Sequence, residues 1–519
     1  MKGLRSKERS IFIPLAVLLA VSVWLVPSHA GLSQPSDAAS IQQGMQEVID
    51  FLDSPGYAQA VSWDEHVVLV YRLAQGRMPS PLEFFLLGAF REDIGLTRSA
   101  SLSVALRGEA LCPTCAQCRA FLNRVSVSDF QTDQVVRQRT RKLAAIPRRR
   151  IIKMLRQMAK AAEIDRPRKE LQAELPVANV QYNTYFGYLH AHSELSDGEG
   201  SPLGAYIYAR DQGGLDFFAL TDHGEYLCIW PWENKWEELV NAAEATYDPG
   251  TYVTLWGFEW SNPILGHINV LNTPDYTNAI FHFWITWLYD WISDRPEAFG
   301  RFNHPGEYDY LWIEFLHLRP YADAMPQMVG IETWNGNDSF DKYYYDGSWF
   351  PFFDYSYWDV GNLRGWYLGA LGGQDNHSRQ WGTLNEFRTA VLVDVAEDLT
   401  REQIVDAYLN RRFYVTEDKD LYLDLRCQGF PMGTRLFGVA RQFKVTAWDD
   451  SGDTFHEVRF YRDGSLLQTE TVSGNSIEGS FDDPSPTGAN YYYVIVQQYD
   501  DNDGNGRKDE AISSPIWID

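Results

Sequence analysis

Residues 186–198 read FGYLHAHSELSDG, an apolar run that ends in two histidines one residue apart and then a turn. If the run is extended, His190 and His192 share a face, because side chains alternate along a strand. Two imidazoles on one face can bind one metal ion, and Asp197, in the turn-forming SDG, can swing a carboxylate toward them. Working outward, the runs FFAL, YVTLWGF, HINVL, GRFN, MVGI and LGALGG follow, each closed by a His, Asp or Glu or, in HINVL, begun by one. Asp222 and His223 follow FFALT, Glu259 ends YVTLWGF, His267 opens HINVL, and His304 follows GRFN. Glu332 follows MVGI, and Asp375 and His377 repeat the spacing-two arrangement after LGALGG. Helix-compatible stretches separate most of these runs, which predicts an α/β unit. Catalytic side chains gathered at strand ends are what a (β/α) barrel produces. Between GFEW and HINVL the gap is too short for a crossover helix, so the barrel is expected to be irregular there.

Six of the 11 histidines lie in these motifs. Nitrogen and carboxylate ligands without thiolates suit zinc, manganese or iron rather than calcium. The ligand set His190, His192, Asp197, His223, Glu259, His267, His304, Asp375 and His377 exceeds what one tetrahedral site needs, so two or three metals bridged by carboxylates are expected. Such a cluster lowers the pKa of water and polarises a phosphoryl or carbonyl oxygen. Asp222 and Glu332 are the candidates for roles beside the ligands. Asp222 reads as a residue that orients an imidazole, while Glu332 is open as ligand, general acid or structural acceptor. Cys228, His282, His317 and His456 have no motif context and read as structural.

The ordered series HAH, SDG, TDH, GFE, NHP and DNH resembles the PHP (polymerase and histidinol phosphatase) metal-dependent hydrolases, and within them the carbaryl-hydrolysing CehA/McbA branch. The resemblance covers roughly residues 183 to 416 and runs on into the C-terminal strands. It implies a distorted (β/α)7 barrel with a trinuclear site. His190 and His192 match the family's HxH, Asp197 its following acid, His223 its second motif, and Glu259 its bridging glutamate. His267 and His304 match its later single histidines, and Asp375 and His377 its final DxH. The chain departs from the pattern at Gln374 and Asn376, which leaves the implied ligands intact and the polarity of the pocket open.

Around this unit, a chain of 519 residues predicts more than one domain. With 45% hydrophobic and 22% charged residues it should be globular. Residues 1–30 pass from basic to apolar to the small-residue PSHA and read as a secretory signal peptide. Its removal would take the formal charge from −25 to −28. No second long apolar span follows, so a periplasmic or extracellular protein without membrane contact is expected. Its acidity disfavours nucleic acid. Residues 31–180 have a helical pattern and include CPTCAQC at Cys112, Cys115 and Cys118, read as a local disulfide plus a spare thiol. A basic stretch near residues 135–169 reads as a solvated helix face or a surface for anionic polymers. The hydrolase barrel is placed at 181–418. Residues 419–519 alternate with period two and predict an immunoglobulin-like β-sandwich. There Asp501, Asp503 and Asn505 have the spacing that opens a calcium loop, although Ile512 stands where its glutamate would be. The aromatic stretches IFHFWITWLYDW and YYYDGSWFPFFDYSYW read as core helix and packed loop, or as an aromatic wall for a small-molecule, aryl or saccharide-like substrate. Three functions follow: hydrolysis of an ester, carbamate or amide, phosphoester hydrolysis, or a binding module with a residual metal site.

Overall fold

The computed structural model describes residues 38–106, 116–162, 177–227, 234–307, 313–336, 340–345, 355–486, 488–500 and 506–519. The signal segment 1–30, Cys112, Cys115, Cys228, most of the second aromatic stretch, and the calcium-loop residues Asp501, Asp503 and Asn505 lie outside the described residues.

The chain begins with eight described α-helices: α1 (Ala38–Leu52), α2 (Pro55–Ala60), α3 (Trp63–Gln75), α4 (Pro81–Ile94), α5 (Arg98–Leu106), α6 (Ala116–Leu122), α7 (Gln134–Ala144) and α8 (Arg148–Ala162). Their limits are written in local chemistry. Ser62 with Glu65, and Ser80 with Glu83, form capping boxes that satisfy the first amides of α3 and α4. Gly76 and Gly95 end the same two helices in the left-handed conformation, at φ 67° and 66°. Val67 to Val70 of α3 are buried, so this helix is central to the group.

The seven apolar runs form β1 (Tyr182–Tyr188), β2 (Phe217–Leu220), β3 (Val253–Asn262), β4 (Gly266–Leu271), β5 (Phe299–Phe302), β6 (Met328–Asn335) and β7 (Gly369–Gly373). Two further strands, β8 (Arg388–Asp394) and β9 (Phe413–Thr416), extend the sheet to the order β9-β8-β1-β2-β3-β4-β5-β6-β7. Between the strands run α9 (Pro202–Asp211), α10 (Gly224–Leu227), α11 (Lys235–Thr246), α12 (Ile285–Ser293), α13 (Tyr357–Leu363) and α14 (Arg401–Leu409). Ile285, Leu288, Tyr289 and Ile292 of α12 are buried, so the first aromatic stretch contributes to the core.

The result is a mixed α/β fold around a curled half-barrel sheet rather than a regular alternation of seven β/α units. β1, β2 and β3 are parallel, as are β5, β6 and β7, but β4 runs antiparallel to both neighbours. The three residues between β3 and β4 allow only a hairpin, and Gly266 takes φ 86° there, beside Phe315. The antiparallel β8 occupies the edge of β1 to which β7 would pair in a closed barrel. Beyond the strand ends, one parallel bridge, Ala191 to Asn376, joins the extensions of β1 and β7.

The C-terminal strands are β10 (Leu421–Cys427), β11 (Phe430–Pro431), β12 (Arg435–Leu436), β13 (Gln442–Asp449), β14 (Phe455–Arg462), β15 (Ser465–Thr471), β16 (Ser476–Asp482), β17 (Asn490–Gln498), β18 (Glu510–Ser513) and β19 (Ile516–Ile518). β11, β10, β13 and β16 form a four-stranded antiparallel sheet. The other strands continue the main sheet, because β18 pairs with β9. A single apolar cluster, with Leu423, Val445, Phe460 and Val494, lies between the two layers and reaches Ala390 and Tyr414 of β8 and β9.

Candidate metal centre

The half-barrel brings the chemistry-bearing motifs together by register. His192 N donates to Asn376 O and Asp375 N donates to His190 O, both at 3.0 Å, so the HxH and DxH segments lie side by side. Asp375 Oδ1 is then 3.2 Å from His190 Nε2 and 3.0 Å from His192 Nε2. From the end of β3, Glu259 enters the middle. Its Oε1 lies 3.3 Å from His190 Nε2, 3.4 Å from His304 Nε2 and 3.4 Å from His267 Nδ1. Its Oε2 lies 2.8 Å from His223 Nδ1. Asp197 Oδ1 lies 3.4 Å from His223 Nε2 and 3.3 Å from His377 Nε2. The nine residues read from the sequence as ligands therefore meet in one cluster.

Three overlapping groups within it have metal-binding spacing: His190, His192 and Asp375; His190, Glu259 and His304; and His192, Asp197, His223 and His377. His267 joins through Glu259. The first two groups are deep. The third is open, since the side chains of Asp197 and His377 are 34% and 37% exposed. His304 and Asp375 hold φ angles of 23° and 46°, in the left-handed region that non-glycine residues rarely adopt. Strain of this kind persists where the surroundings over-determine a conformation, and it clusters at functional sites.

The two residues read as standing beside the ligands take different places. Glu332 lies beneath the cluster, fully buried, with Oε1 2.9 Å from His190 Nδ1 and paired to Arg301. Its Oε2 accepts from His304 N and Asn335 Nδ2, each at 2.7 Å. These contacts use both of its oxygens and set one against His190 Nδ1, while His190 Nε2 faces Asp375 and Glu259. Among the described residues, Asp222 shows no hydrogen bond or ion pair to an imidazole of the cluster. Its carboxylate accepts from the amides of Ser193 and Ser196 and from both hydroxyls, at 2.6 to 3.1 Å, folding the loop that carries Asp197. Ser196 Oγ in turn lies 3.3 Å from His192 Nδ1, so Asp222 acts on an imidazole through a serine.

Several supporting residues carried no motif. Asn303 Nδ2 donates to Glu259 Oε1 at 2.7 Å, and Ser261 Oγ lies 2.6 Å from His223 Nδ1. Asp93, from the last turn of α4, lies 3.1 Å from His267 Nε2. Arg301 did leave a signal, a lone cation inside the apolar strand GRFN, which requires a buried counter-ion. Gln374 is turned away from the cluster: its Oε1 accepts from Tyr188 Oη and Gly382 N, and its Nε2 donates to Asn385. Asn376 Oδ1 accepts from Ser378 N. Both polar departures from the family pattern thus serve loop folding.

Electrostatics describe a nest of carboxylates among imidazoles. Burial opposes charge on every group, but at His190 and His223 it is outweighed by Asp375, Asp197 and Glu259, and both pKa values rise well above the ordinary value. His377 and His267 rise to about 9 and about 10, again against burial, through Asp197 and Asp375 in one case and Asp93 and Glu259 in the other. Glu259 and Asp375 fall well below the usual carboxylate range despite burial, held there by the imidazoles. His192 shifts downward, through burial and the neighbouring His377 and His223.

A decisive detail concerns His190 Nε2 and His192 Nε2. Both atoms are buried and face carboxylate oxygens 3.0 to 3.3 Å away, yet among the described residues neither has the alignment of an ordinary hydrogen bond. Buried polar atoms ordinarily find partners. Nitrogen and oxygen lone pairs converging on common points, without the directionality of hydrogen bonds, fit a shared cation. The donor set, imidazole with carboxylate, fits a divalent transition metal.

No protein-family model matches the chain. Among curated proteins it is similar to an uncharacterized protein of Chlamydia pneumoniae, 22% identical over 375 residues, which covers 65% of this chain and 57% of that protein. It is similar also to an uncharacterized protein of Chlamydia trachomatis, 23% identical over 395 residues, covering 68% and 60%. The chain thus spans about three fifths of the length of the curated relatives it matches. Among solved structures, a two-domain protein containing a predicted PHP-like metal-dependent phosphoesterase from Bacteroides vulgatus aligns with TM-score 0.36 and 16% identity, over 66% of this chain and 98% of that one. PsfC from Pseudomonas syringae aligns with TM-score 0.29 and 14% identity, over 40% and 82%.

Proposed function

We propose that this chain is a metal-dependent hydrolase of the PHP type, acting on an ester, carbamate or amide. The observation that carries the reading is the convergence of the buried Nε2 atoms of His190 and His192 on the carboxylates of Asp375 and Glu259, with the spacing of a metal site. Two or three divalent metals held by the nine residues would supply Lewis-acid polarisation and activation of water. The protein's own part is to fix the donors. Glu332 aims His190, Asp222 folds the loop that presents Asp197, and Glu259 stands among the imidazoles of the groups, where its carboxylate would help to hold the metals. The open side at Asp197 and His377 is where a substrate would enter.

A phosphoester is the second reading, favoured by Arg379, two residues beyond His377, whose side chain is 63% exposed and loosely paired to the exposed Glu199, at 3.8 Å. An exposed guanidinium at the entrance could take the charge of a phosphate. The basic, apolar and small-residue order of residues 1–30 supports export as part of the same proposal.

Manganese- and zinc-loaded protein assayed in parallel on aryl phosphates, naphthyl esters and aryl carbamates tests both readings. We expect turnover of the ester or carbamate, lost in His190→Ala and Asp375→Ala. Preference for the phosphate would reverse the order of the two. Less than one bound metal per chain, with activity unaffected by either substitution, would overturn the enzyme.

A further inference from the structure

Among the described residues, the helical region meets the cluster of imidazoles and carboxylates through the carboxylate of Asp93. Asp93 Oδ2 lies 3.1 Å from His267 Nε2, and both side chains are 3% exposed. The other ring nitrogen, Nδ1, lies 3.4 Å from Glu259 Oε1, the oxygen that His190 and His304 also face. An imidazole that binds a metal uses one nitrogen's lone pair and keeps its proton on the other. A carboxylate on Nε2 therefore holds the proton there and turns the Nδ1 lone pair toward Glu259.

We propose that Asp93 is a positioning residue of the metal centre: it holds His267 as an Nδ1 ligand, so that the N-terminal helices complete the site from outside the half-barrel. The proposal rests on the metal-dependent reading above. Attachment of α4 alone does not require this carboxylate, because Tyr226 Oη, from α10, already donates to Ile94 O at 2.7 Å. A buried carboxylate is costly unless it meets a charged or hydrogen-bonding partner. Asp93 Oδ1 is buried and makes no hydrogen bond among the described residues. His267 is thus the partner that the structure shows for this carboxylate. Nothing in FREDIG, the sequence around Asp93, marks it as part of a metal site.

The test compares full-length wild type, Asp93→Ala, Asp93→Asn and Tyr226→Phe. Each is loaded with manganese or zinc, dialysed against a graded series of chelator concentrations, and its retained metal counted by mass spectrometry. Cobalt-substituted samples report ligand geometry through their visible spectrum. We expect Asp93→Ala to lose about one equivalent, or to bind its weakest metal about 10- to 100-fold more weakly, with an altered cobalt spectrum. Asp93→Asn should fall between, since its amide oxygen still accepts from Nε2 without the charge. It also carries the test if the alanine variant does not fold. Tyr226→Phe should retain metal like wild type. Equal retention and identical cobalt spectra in wild type and both Asp93 variants would overturn the proposal. So would a loss in Tyr226→Phe as large as that in Asp93→Ala, which would trace the effect to attachment of the helices. A wild type that retains no metal overturns the hydrolase reading itself, an outcome distinct from both.

Discussion

At the scale of single residues, the site is built by groups that aim other groups. Glu332 accepts from His190, Arg301, His304 N and Asn335, so its four contacts are spent inside the protein. Replacing it with Gln keeps the shape but removes the charge that balances Arg301 and fixes the His190 tautomer. We expect Glu332→Gln to weaken metal binding about 10- to 100-fold, measured by competition with a chromogenic chelator. Unchanged affinity would return Glu332 to the role of general acid left open by the sequence. The nine clustered residues were legible because imidazoles and carboxylates recur beside the apolar runs in a fixed order. Glu332 looked the same in the sequence as Glu259, since each follows an apolar run. Only their surroundings in the fold separate them: Glu259 faces five imidazoles, whereas Glu332 faces Arg301 and one imidazole.

At the scale of elements, the apolar runs located the strands, but their directions depended on tertiary pairing. HINVL becomes an antiparallel strand because only three residues precede it, which was legible. RTAVLVD and FYVT become β8 and β9 on the edge of β1, which was not, since pairing between distant strands leaves no local trace. Likewise the C-terminal alternation showed half-buried strands but not that β18 would join β9. The glycines of LGALGG show why β7 suits its place. A Cβ on Gly373 would lie 2.6 Å from His190 Cβ and 3.1 Å from Glu332 Oε1. The first distance is one that real side chains do not tolerate, and the His190 Cβ is fixed to its backbone. We expect Gly373→Ala to push the β1 extension away from β7, losing bound metal and lowering Tm by several degrees. Gly56→Ala in α2, where a Cβ meets nothing within 4 Å, is the control and should leave both unchanged. Metal retention in Gly373→Ala equal to that of the control would refute this account of the contact.

At the scale of the molecule, the helices hold a buried histidine that links their stability to pH. His66 of α3 is fully buried among α2 and α5, with Nδ1 3.0 Å from Tyr57 Oη and Nε2 2.8 Å from Ser101 Oγ and 3.0 Å from Arg98 O. Burial, and then the nearby Arg98 guanidinium, lower its pKa from 6.5 to about 3. The folded helices therefore hold a neutral imidazole, while the unfolded chain takes up a proton below pH 6.5. Between pH 6.5 and about 3 the unfolded state binds more protons, so this contribution is fully present above 6.5 and is lost as pH falls toward 3. At about 1.4 kcal/mol for each pH step of one across that window, the loss is of order several kcal/mol, enough to release a small helical unit. In the half-barrel strands, bound metal would instead add stability by mass action for as long as its histidine ligands stay deprotonated. Acid titration followed by hydrogen exchange should therefore show α2, α3 and α5 opening at a higher pH than β1 to β3 in metal-loaded protein. His66→Gln, neutral at every pH, should flatten the dependence for the helices while leaving that of the strands in place. Helices and strands that open together, with the same slope in His66→Gln as in wild type, would show that the imidazole does not govern the acid stability of the helical region.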